Sequence, residues 1–318
     1  MAKRLVPAVV ALLASAVVAG CAVTPSVSFQ HSSFEGFDVV SYVPDNPRGL
    51  VFFFHGTNGS AAFAERVESV DVLNRLIAQG YGFVSTSSTE RTGDRRWEVF
   101  NASLTGNPDL ARLLRLRQHL IDTTPVAAGT PLVGIGMSNG ARFVTLWGQS
   151  WKNAGYPVKA IWASMGRTAP AYAASGALTV PTIFSTAVND FTVPPGDVVA
   201  SWYDANQAGT PAELLFSHER KLSNGPYLRI PGIDDNESRQ IVQAFKDTGV
   251  WNADGQRVVS PPEAAANQAG TVQLPASVAG SGSSIADETA IQLAVHQFTA
   301  EHSGKVTAFF DRFVPPRP

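Results

Sequence analysis

A serine flanked by two glycines lies within the stretch VGIGMSNGARF, residues 133–143. An apolar segment precedes this pattern, Gly136-x-Ser138-x-Gly140, and a segment with helical spacing follows it. A serine on a sharp turn from a buried strand into a helix presents its hydroxyl at the carboxyl end of a parallel sheet, where ligands bind. Flanking glycines remove the Cβ atoms that would collide with the neighbouring strand and helix. The spacing favours Ser138 as a nucleophile, and the alternative is a small residue in a tight turn.

A second stretch, FFFHGTNGS at residues 52–60, is a candidate for stabilising the negative charge that serine attack would create. A serine hydroxyl attacks well only if a base removes its proton and N–H donors hold the resulting oxyanion. We expect the backbone N–H groups of Thr57 and Met137 to be these donors. His55 stands beside a glycine turn at the end of an apolar strand, so its predicted role is to shape the loop rather than to act as the base.

The chain between about residues 37 and 216 alternates short apolar runs with longer stretches of helical period. This alternation predicts a parallel sheet covered by helices, because strands buried on both faces are apolar at consecutive positions. The predicted strands lie within residues 49–56, 80–88, 131–138, 158–166, 180–188 and 212–219. The predicted helices lie within residues 61–79, 108–122, 140–153 and 196–208.

The motifs at residues 55–56 and 136–140 resemble the oxyanion-hole motif and the nucleophile elbow of the α/β-hydrolase superfamily. The resemblance extends over about residues 37–313, apart from one insertion. It implies an α/β fold, a mostly parallel sheet flanked by helices, and a catalytic triad in the chain order Ser, acid, His. It also implies an acyl-enzyme mechanism for the hydrolysis of carboxylic esters, which requires no cofactor. The form GMSNGA is similar to the elbow of polyhydroxybutyrate-depolymerase and feruloyl-esterase types.

The acid of this triad is predicted at Asp190, in the sequence VPTIFSTAVNDFTVPP, residues 180–195. An apolar strand ends there and a Val-Pro turn follows, which is similar to the acid loop of the superfamily. An aspartate at this position would hold an imidazole in the right tautomer and stabilise its cation. The alternative is a solvated aspartate of a turn.

Three histidines follow Asp190 and compete for the role of base: His218, His296 and His302. The resemblance implies that the base lies in a loop past the last strand, the histidine loop. His218 falls within or at the end of a predicted strand, too early for that loop. His302 comes after Thr299, a plausible N-cap, so it is expected in the first turns of the final helix. His296 lies in a His-x-Phe pattern that resembles the family's histidine loop, with the aromatic ring packing beneath the imidazole. We therefore expect His296 to be the base.

The regular alternation stops after about residue 216, and residues 219–294 are predicted to be an insertion. One capped helix is expected near its start, whereas SPPEAAANQAGTVQLPASVAGSGSS, residues 260–284, shows little capacity for a core. The insertion is either a partial lid over the site or a loop without consequence. The chain then resumes with the apolar helical face of Val306, Phe309, Phe310 and Phe313, which predicts a last helix on the sheet.

The first 21 residues have the pattern of an export signal: Lys3 and Arg4 precede an apolar run that is too short to span a bilayer comfortably. The run ends in VAGC, which resembles the lipobox of bacterial lipoproteins and predicts lipidation at Cys21, the chain's single cysteine. An ordinary cleaved signal is the alternative. Residues 22–33 are predicted to be a tether, and residues 34–313 the hydrolase domain. This organisation predicts that the protein is exported to the bacterial cell envelope, at the outer membrane or cell surface, and is held to the membrane only by its lipid anchor.

The net charge and the absence of certain motifs argue against several classes of partner. A formal net charge of −2 leaves no basic face for nucleic acid or anionic lipid. No group of His, Cys, Asp and Glu has metal-ligand spacing, and no glycine-rich loop has the phosphate-binding pattern, so neither a metal nor a cofactor is expected.

The expected partner is a small-molecule or polymeric ester, with Trp97, Phe100 and Phe298 predicted to line its pocket, although isolated aromatics are more often core residues. Two other functions remain open at this stage. The same acyl-enzyme could transfer its acyl group to an acceptor in the envelope, or the fold could be a non-catalytic, ligand-binding lipoprotein.

Overall fold

Eight strands form one sheet in the computed structural model, which describes residues 22–173 and 177–316. The strands are β1 Gln30–Phe34, β2 Phe37–Tyr42, β3 Gly49–Phe54, β4 Tyr81–Thr86, β5 Leu132–Met137, β6 Val158–Ser164, β7 Thr182–Ala187 and β8 Ala212–Ser217. Their spatial order is β1-β2-β4-β3-β5-β6-β7-β8. Strands β3 to β8 run parallel, and each of them lies in one of the six predicted segments. The predicted mostly parallel sheet is confirmed.

Helices cover both faces of this sheet. Those of the described residues are α1 Val67–Ala78, α2 Pro108–Thr123, α3 Asn139–Asn153, α4 Pro170–Ala173, α5 Pro195–Gln207, α6 Asp235–Asp247, α7 Pro262–Ala269, α8 Gly282–Gln292 and α9 Ser303–Phe313. Side chains of α2, α3 and α5 form one apolar core with the sheet, and those of α1 and α9 form a second core on its other face. Because both faces are covered, every residue of β3, β4, β5 and β7 is buried.

Local signals explain where the helices begin. Asn107 precedes α2, and its side chain accepts hydrogen bonds from the N–H groups of Asp109 and Leu110. Pro108 takes the first helical position, where its missing N–H costs nothing. Asp234 and Glu237 form a capping box at the start of α6, the capped helix predicted near the start of the insertion.

An antiparallel hairpin at the sheet edge corrects the predicted tether. Strands β1 and β2 pair with each other, joined by Glu35 and Gly36 with φ angles of 52° and 80°. Two consecutive positive φ angles suit the turn of a two-residue hairpin. The N–H of Val23 also donates to the carbonyl of Arg229, 2.8 Å away. Much of the segment 22–33 is therefore bound to the domain, which the polar composition of the segment did not indicate.

The insertion forms a small helical unit around a third apolar core, which it shares with Val67 of α1, contrary to the prediction for its alanine- and glycine-rich part. Helices α6, α7 and α8 lie within residues 219–294. The core of the unit is the set Val67, Leu222, Tyr227, Ile230, Ile233, Ile241, Phe245, Val250, Trp251, Ala265, Ala269, Val278, Ile285, Leu293 and Val295. Residues 260–284 contribute Ala265, Ala269 and Val278 to it. The lid hypothesis remains a prediction.

The predicted export signal and its lipidation site, Cys21, lie outside the described residues. Within the described ranges, no helix combines the length and the apolar character needed to cross a membrane.

Candidate active site

Ser138 lies on the turn between β5 and α3, in a strained backbone conformation with φ 57° and ψ −118°. The two glycines beside it are sterically required. A Cβ atom on Gly136 would lie 2.1 Å from the carbonyl oxygen of Gly140. A Cβ atom on Gly140 would lie 2.4 Å from the carbonyl oxygen of His55. The elbow therefore packs backbone against backbone, and the strain at Ser138 is maintained by the structure around it.

His296 lies between Ser138 and Asp190 and contacts both. Its Nδ1 atom is 2.7 Å from Oδ2 of Asp190, and its Nε2 atom is 2.8 Å from Oγ of Ser138. An ionised carboxylate only accepts hydrogen bonds, so Nδ1–H donates to it and Nε2 is left as the acceptor for the serine hydroxyl. The Asp190 side chain is fully buried and that of His296 is 13% exposed. This order of groups can remove a proton from Ser138.

Asp190 comes from the loop after a strand, and His296 comes from the loop after a helix. Asp190 follows β7, and its Oδ1 atom accepts hydrogen bonds from the N–H groups of Thr192 at 2.9 Å and Val193 at 2.8 Å. The carboxylate is thus held from both oxygens. His296 lies in the loop after α8, before the short 3-10 helix at residues 300–302.

The chain has the α/β-hydrolase fold. Its sheet is mostly parallel with helices on both faces, and the strand–serine–helix elbow is at β5 and α3. Ser138, Asp190 and His296 also follow the chain order of that fold.

Comparisons with known proteins find similarity to solved structures. No family model matches the chain, and no curated protein matches it. A solved thermostable esterase is similar over 68% of this chain and 62% of its own, with 13% identity and a TM-score of 0.46. The carboxylesterase from Mesorhizobium loti is similar over 68% of this chain and 97% of its own, with 15% identity and a TM-score of 0.43. Est1E from Butyrivibrio proteoclasticus is similar over 61% and 90%, with 13% identity and a TM-score of 0.42.

The two other histidines considered for the base lie elsewhere. His218 is exposed, immediately after β8. His302 is buried, and its Nε2 atom lies 3.1 Å from Oγ of Ser217. Burial lowers the pKa of His302. Among these three side chains, the structure brings only His296 to Ser138.

His55 is occupied on both ring nitrogens. Its Nδ1–H donates to the carbonyl of Gly56 at 2.6 Å, and its Nε2 accepts from the N–H of Ser88 at 3.1 Å. Burial lowers the pKa of His55 to about 4, so the ring is neutral at pH 7. A Cβ atom on Gly59 would lie 2.6 Å from the Cβ of His55. The ring therefore fixes the loop after β3, in agreement with its predicted role.

The predicted pair of oxyanion donors needs one correction. Met137 precedes Ser138 and ends β5, so it belongs to the strand. The residue that follows the serine is Asn139, the first of α3, and helix geometry leaves its N–H without an intrahelical acceptor. In the described part of the chain, the backbone N–H groups of Asn139 and Thr57 have no hydrogen-bond acceptor. The position directly after the serine is the sequence signal that indicates Asn139 as a candidate donor.

The three aromatics predicted to line the pocket occupy two kinds of environment. Trp97 is buried, stacks on Phe143 with ring centroids 4.6 Å apart, and donates its Nε1–H to the carbonyl of His55 at 3.0 Å. Phe298 is buried against Phe53, Phe63 and Trp162. Phe100 is 69% exposed. Trp97 and Phe298 thus pack as core residues. Phe298 belongs to the core that the sheet forms with α1 and α9, and it does not stack on His296.

Proposed function

We propose that this protein is a serine hydrolase that cleaves carboxylic esters through an acyl-enzyme intermediate. One observation carries the proposal. The Nε2 atom of His296 lies 2.8 Å from the hydroxyl of Ser138 while its Nδ1–H donates to the buried carboxylate of Asp190. A nucleophile, a base and a group that orients the base thus stand in hydrogen-bond contact.

In the proposed first step, Oγ of Ser138 attacks the ester carbonyl carbon and its proton moves to Nε2 of His296. Asp190 holds the imidazole in the tautomer that can accept this proton and stabilises the cation that forms. The carbonyl oxygen becomes an oxyanion, for which the backbone N–H groups of Thr57 and Asn139 are the proposed donors. The C–O bond to the alcohol then breaks, and the alkoxide leaves with the proton from Nε2.

In the second step, water replaces the alcohol. His296 removes a proton from a water molecule, whose oxygen attacks the acyl carbon bound to Ser138. The second tetrahedral intermediate breaks the C–Oγ bond, and the proton on Nε2 returns to the serine. The products are a carboxylic acid and the free enzyme, with no external electron donor or acceptor.

Replacement of the nucleophile tests the proposal. A Ser138→Ala variant should fold but lose nearly all hydrolysis of nitrophenyl esters, and the oxyanion donors would leave a residual rate roughly a thousandfold above that in water. A fluorophosphonate probe should label the wild type and not the variant. Equal labelling of both proteins would contradict the assignment of Ser138.

We also propose that the protein is exported and anchored through a lipid on Cys21. The support is the sequence pattern alone: two basic residues, an apolar run and the small residues before Cys21. The anchor would hold a domain whose net charge gives it no electrostatic affinity for anionic lipid.

A further inference from the structure

Asn189 joins the two loops that carry Asp190 and His296. Its backbone N–H donates to the carbonyl of Ala294 at 3.0 Å, and its side-chain Nδ2 donates to the carbonyl of Leu293 at 2.8 Å. Asn189 directly precedes Asp190, and Ala294 is two residues before His296. A shift of one loop along the other would therefore break two hydrogen bonds to a single residue.

The second proton of the Asn189 amide goes to Glu219, the first residue of the insertion. Nδ2 also donates to Oε2 of Glu219 at 3.1 Å. Both acceptors of this NH2 group, a carbonyl and a carboxylate, only accept hydrogen bonds. An amide is the uncharged side chain that supplies two donors from one atom, so the chemistry of the site suits asparagine.

Glu219 is itself held by an arginine of the insertion. Arg257 donates from Nε to Oε1 at 2.8 Å and from Nη2 to Oε2 at 2.9 Å. This is a bidentate pair, and both side chains are mostly shielded from solvent. The carboxylate of Glu219 is thereby fixed in the position from which it accepts the amide of Asn189.

We infer that Asn189 is a positioning residue that holds the acid loop and the histidine loop in register, with Glu219 and Arg257 linking this register to the insertion. The inference rests on the proposed function, because it assigns Asn189 to the geometry of the proposed Asp190–His296 pair. It gives the insertion a role other than that of a lid: its Arg257 supports the groups that orient the base.

The expected effects follow from the hydrogen bonds removed. Asn189→Ala removes both side-chain bonds, and a misplacement of the base should lower kcat about 10- to 100-fold while KM changes less than about twofold. Asn189→Asp, which is nearly isosteric, places a carboxylate against the carbonyl of Leu293 and the carboxylate of Glu219, so it should lower kcat at least as much. Glu219→Ala leaves the bonds to the histidine loop and should have a smaller effect. Glu219→Gln keeps an acceptor and should restore most of that loss.

A double variant tests whether Glu219 acts through Asn189. If it does, Asn189→Ala combined with Glu219→Ala should be no worse in kcat than Asn189→Ala alone. Additive losses would show that the two residues act independently and would overturn the link to the insertion.

The matched control is Asn224→Ala. Asn224 lies in the insertion, and its Nδ2 also makes two side-chain hydrogen bonds, to Asp235 at 3.3 Å and Ser238 at 3.4 Å. Those partners lie in α6, away from the two loops, so this variant should keep the wild-type kcat. Thermal unfolding of every variant shows which of them fold. If Asn189→Ala does not fold, the Glu219 variants test the inference.

A readout independent of activity is the low-field proton resonance of the hydrogen bond from His296 Nδ1–H to Asp190. The signal is assigned by its loss in His296→Ala. In Asn189→Ala it should shift and exchange faster with water, and in Asn224→Ala it should be unchanged. An unchanged resonance together with a wild-type kcat in Asn189→Ala would overturn the inference. If the wild type hydrolyses no ester, the proposed function fails, and the resonance alone decides the positioning role.

Discussion

The Nε2 atom of His296 lies 2.8 Å from Oγ of Ser138, although 158 positions of the sequence separate the two residues. The helical insertion lies between β8 and the histidine loop and does not displace that loop from the site. Its last helix, α8, ends at Gln292, four residues before His296. The end of the insertion therefore lies close enough to the site for His296 to contact Ser138.

The three candidate histidines should differ sharply in their effect on ester hydrolysis. His296→Ala should lower the rate at least about a thousandfold, because it removes the proposed base. His218→Ala should retain most activity, since that side chain is exposed. His302→Ala should also retain most activity but unfold at lower temperature, because it loses a buried hydrogen bond to Ser217. Rates and thermal unfolding of the three folded variants decide this. An active His296→Ala with an inactive His218→Ala would move the base to the end of β8.

The elbow glycine should be intolerant of any side chain. Gly136→Ala should destabilise the protein by about 3 kcal/mol or more, because its Cβ would lie 2.1 Å from the carbonyl oxygen of Gly140. Gly304→Ala is the matched control: it lies in α9, and its Cβ would have no neighbour within 4 Å. That change should stabilise by about 0.5 kcal/mol. Urea unfolding compares the two, and equal midpoints would refute the steric argument.

Glu288 should make the folded state less stable as the pH rises. Its carboxyl group is buried, with its Oε1 lacking a hydrogen-bond partner among the described residues and Oε2 3.6 Å from Arg229. Burial and the nearby carboxylate of Glu68 raise its pKa to about 9, against 4.5 in the unfolded chain. Between these values the folded state binds more protons, so its contribution to stability is complete below pH 4.5 and is lost as the pH rises towards 9.

Glu288→Gln mimics the protonated carboxyl and should remove this dependence. The difference in slope is up to about 1.4 kcal/mol per pH unit within the window. Urea unfolding at pH 5, 7 and 9 measures it, with the exposed Glu263→Gln in α7 as the control. Parallel stability curves for wild type and Glu288→Gln would show that Glu288 is ionised in the folded protein.

Removal of the predicted lipidation site should change where the protein is found. Cys21→Ala should move it from the membrane fraction to a soluble or unprocessed pool, because the lipid chains supply its affinity for the bilayer. Fractionation of cells that express wild type and variant measures this. A wild type that is already fully soluble after processing would show that the lipobox interpretation is wrong.

Local patterns in the sequence determined the framework around the proposed site. Consecutive apolar residues predicted the six parallel strands, because strands covered on both faces need no polar alternation. The glycine spacing around Ser138 predicted the strand–turn–helix elbow, since that turn has no room for side chains at Gly136 and Gly140. The end of the apolar strand before Asp190 likewise predicted that this residue lies in the loop that follows. Each of these inferences depends on residues that are close together in the chain.

Only the tertiary structure decided the features that depend on contacts between distant segments. Strand β1 is almost wholly exposed, so its residues carry no alternation from which pairing with β2 could be predicted. The core of the insertion combines side chains scattered from Val67 to Val295, and a window of residues 260–284 contains few of them. Asn189 has the sequence context of an ordinary turn residue. Its hydrogen bonds to Leu293 and Glu219 exist because folding brings the end of β7 into contact with the segments that follow β8 and α8.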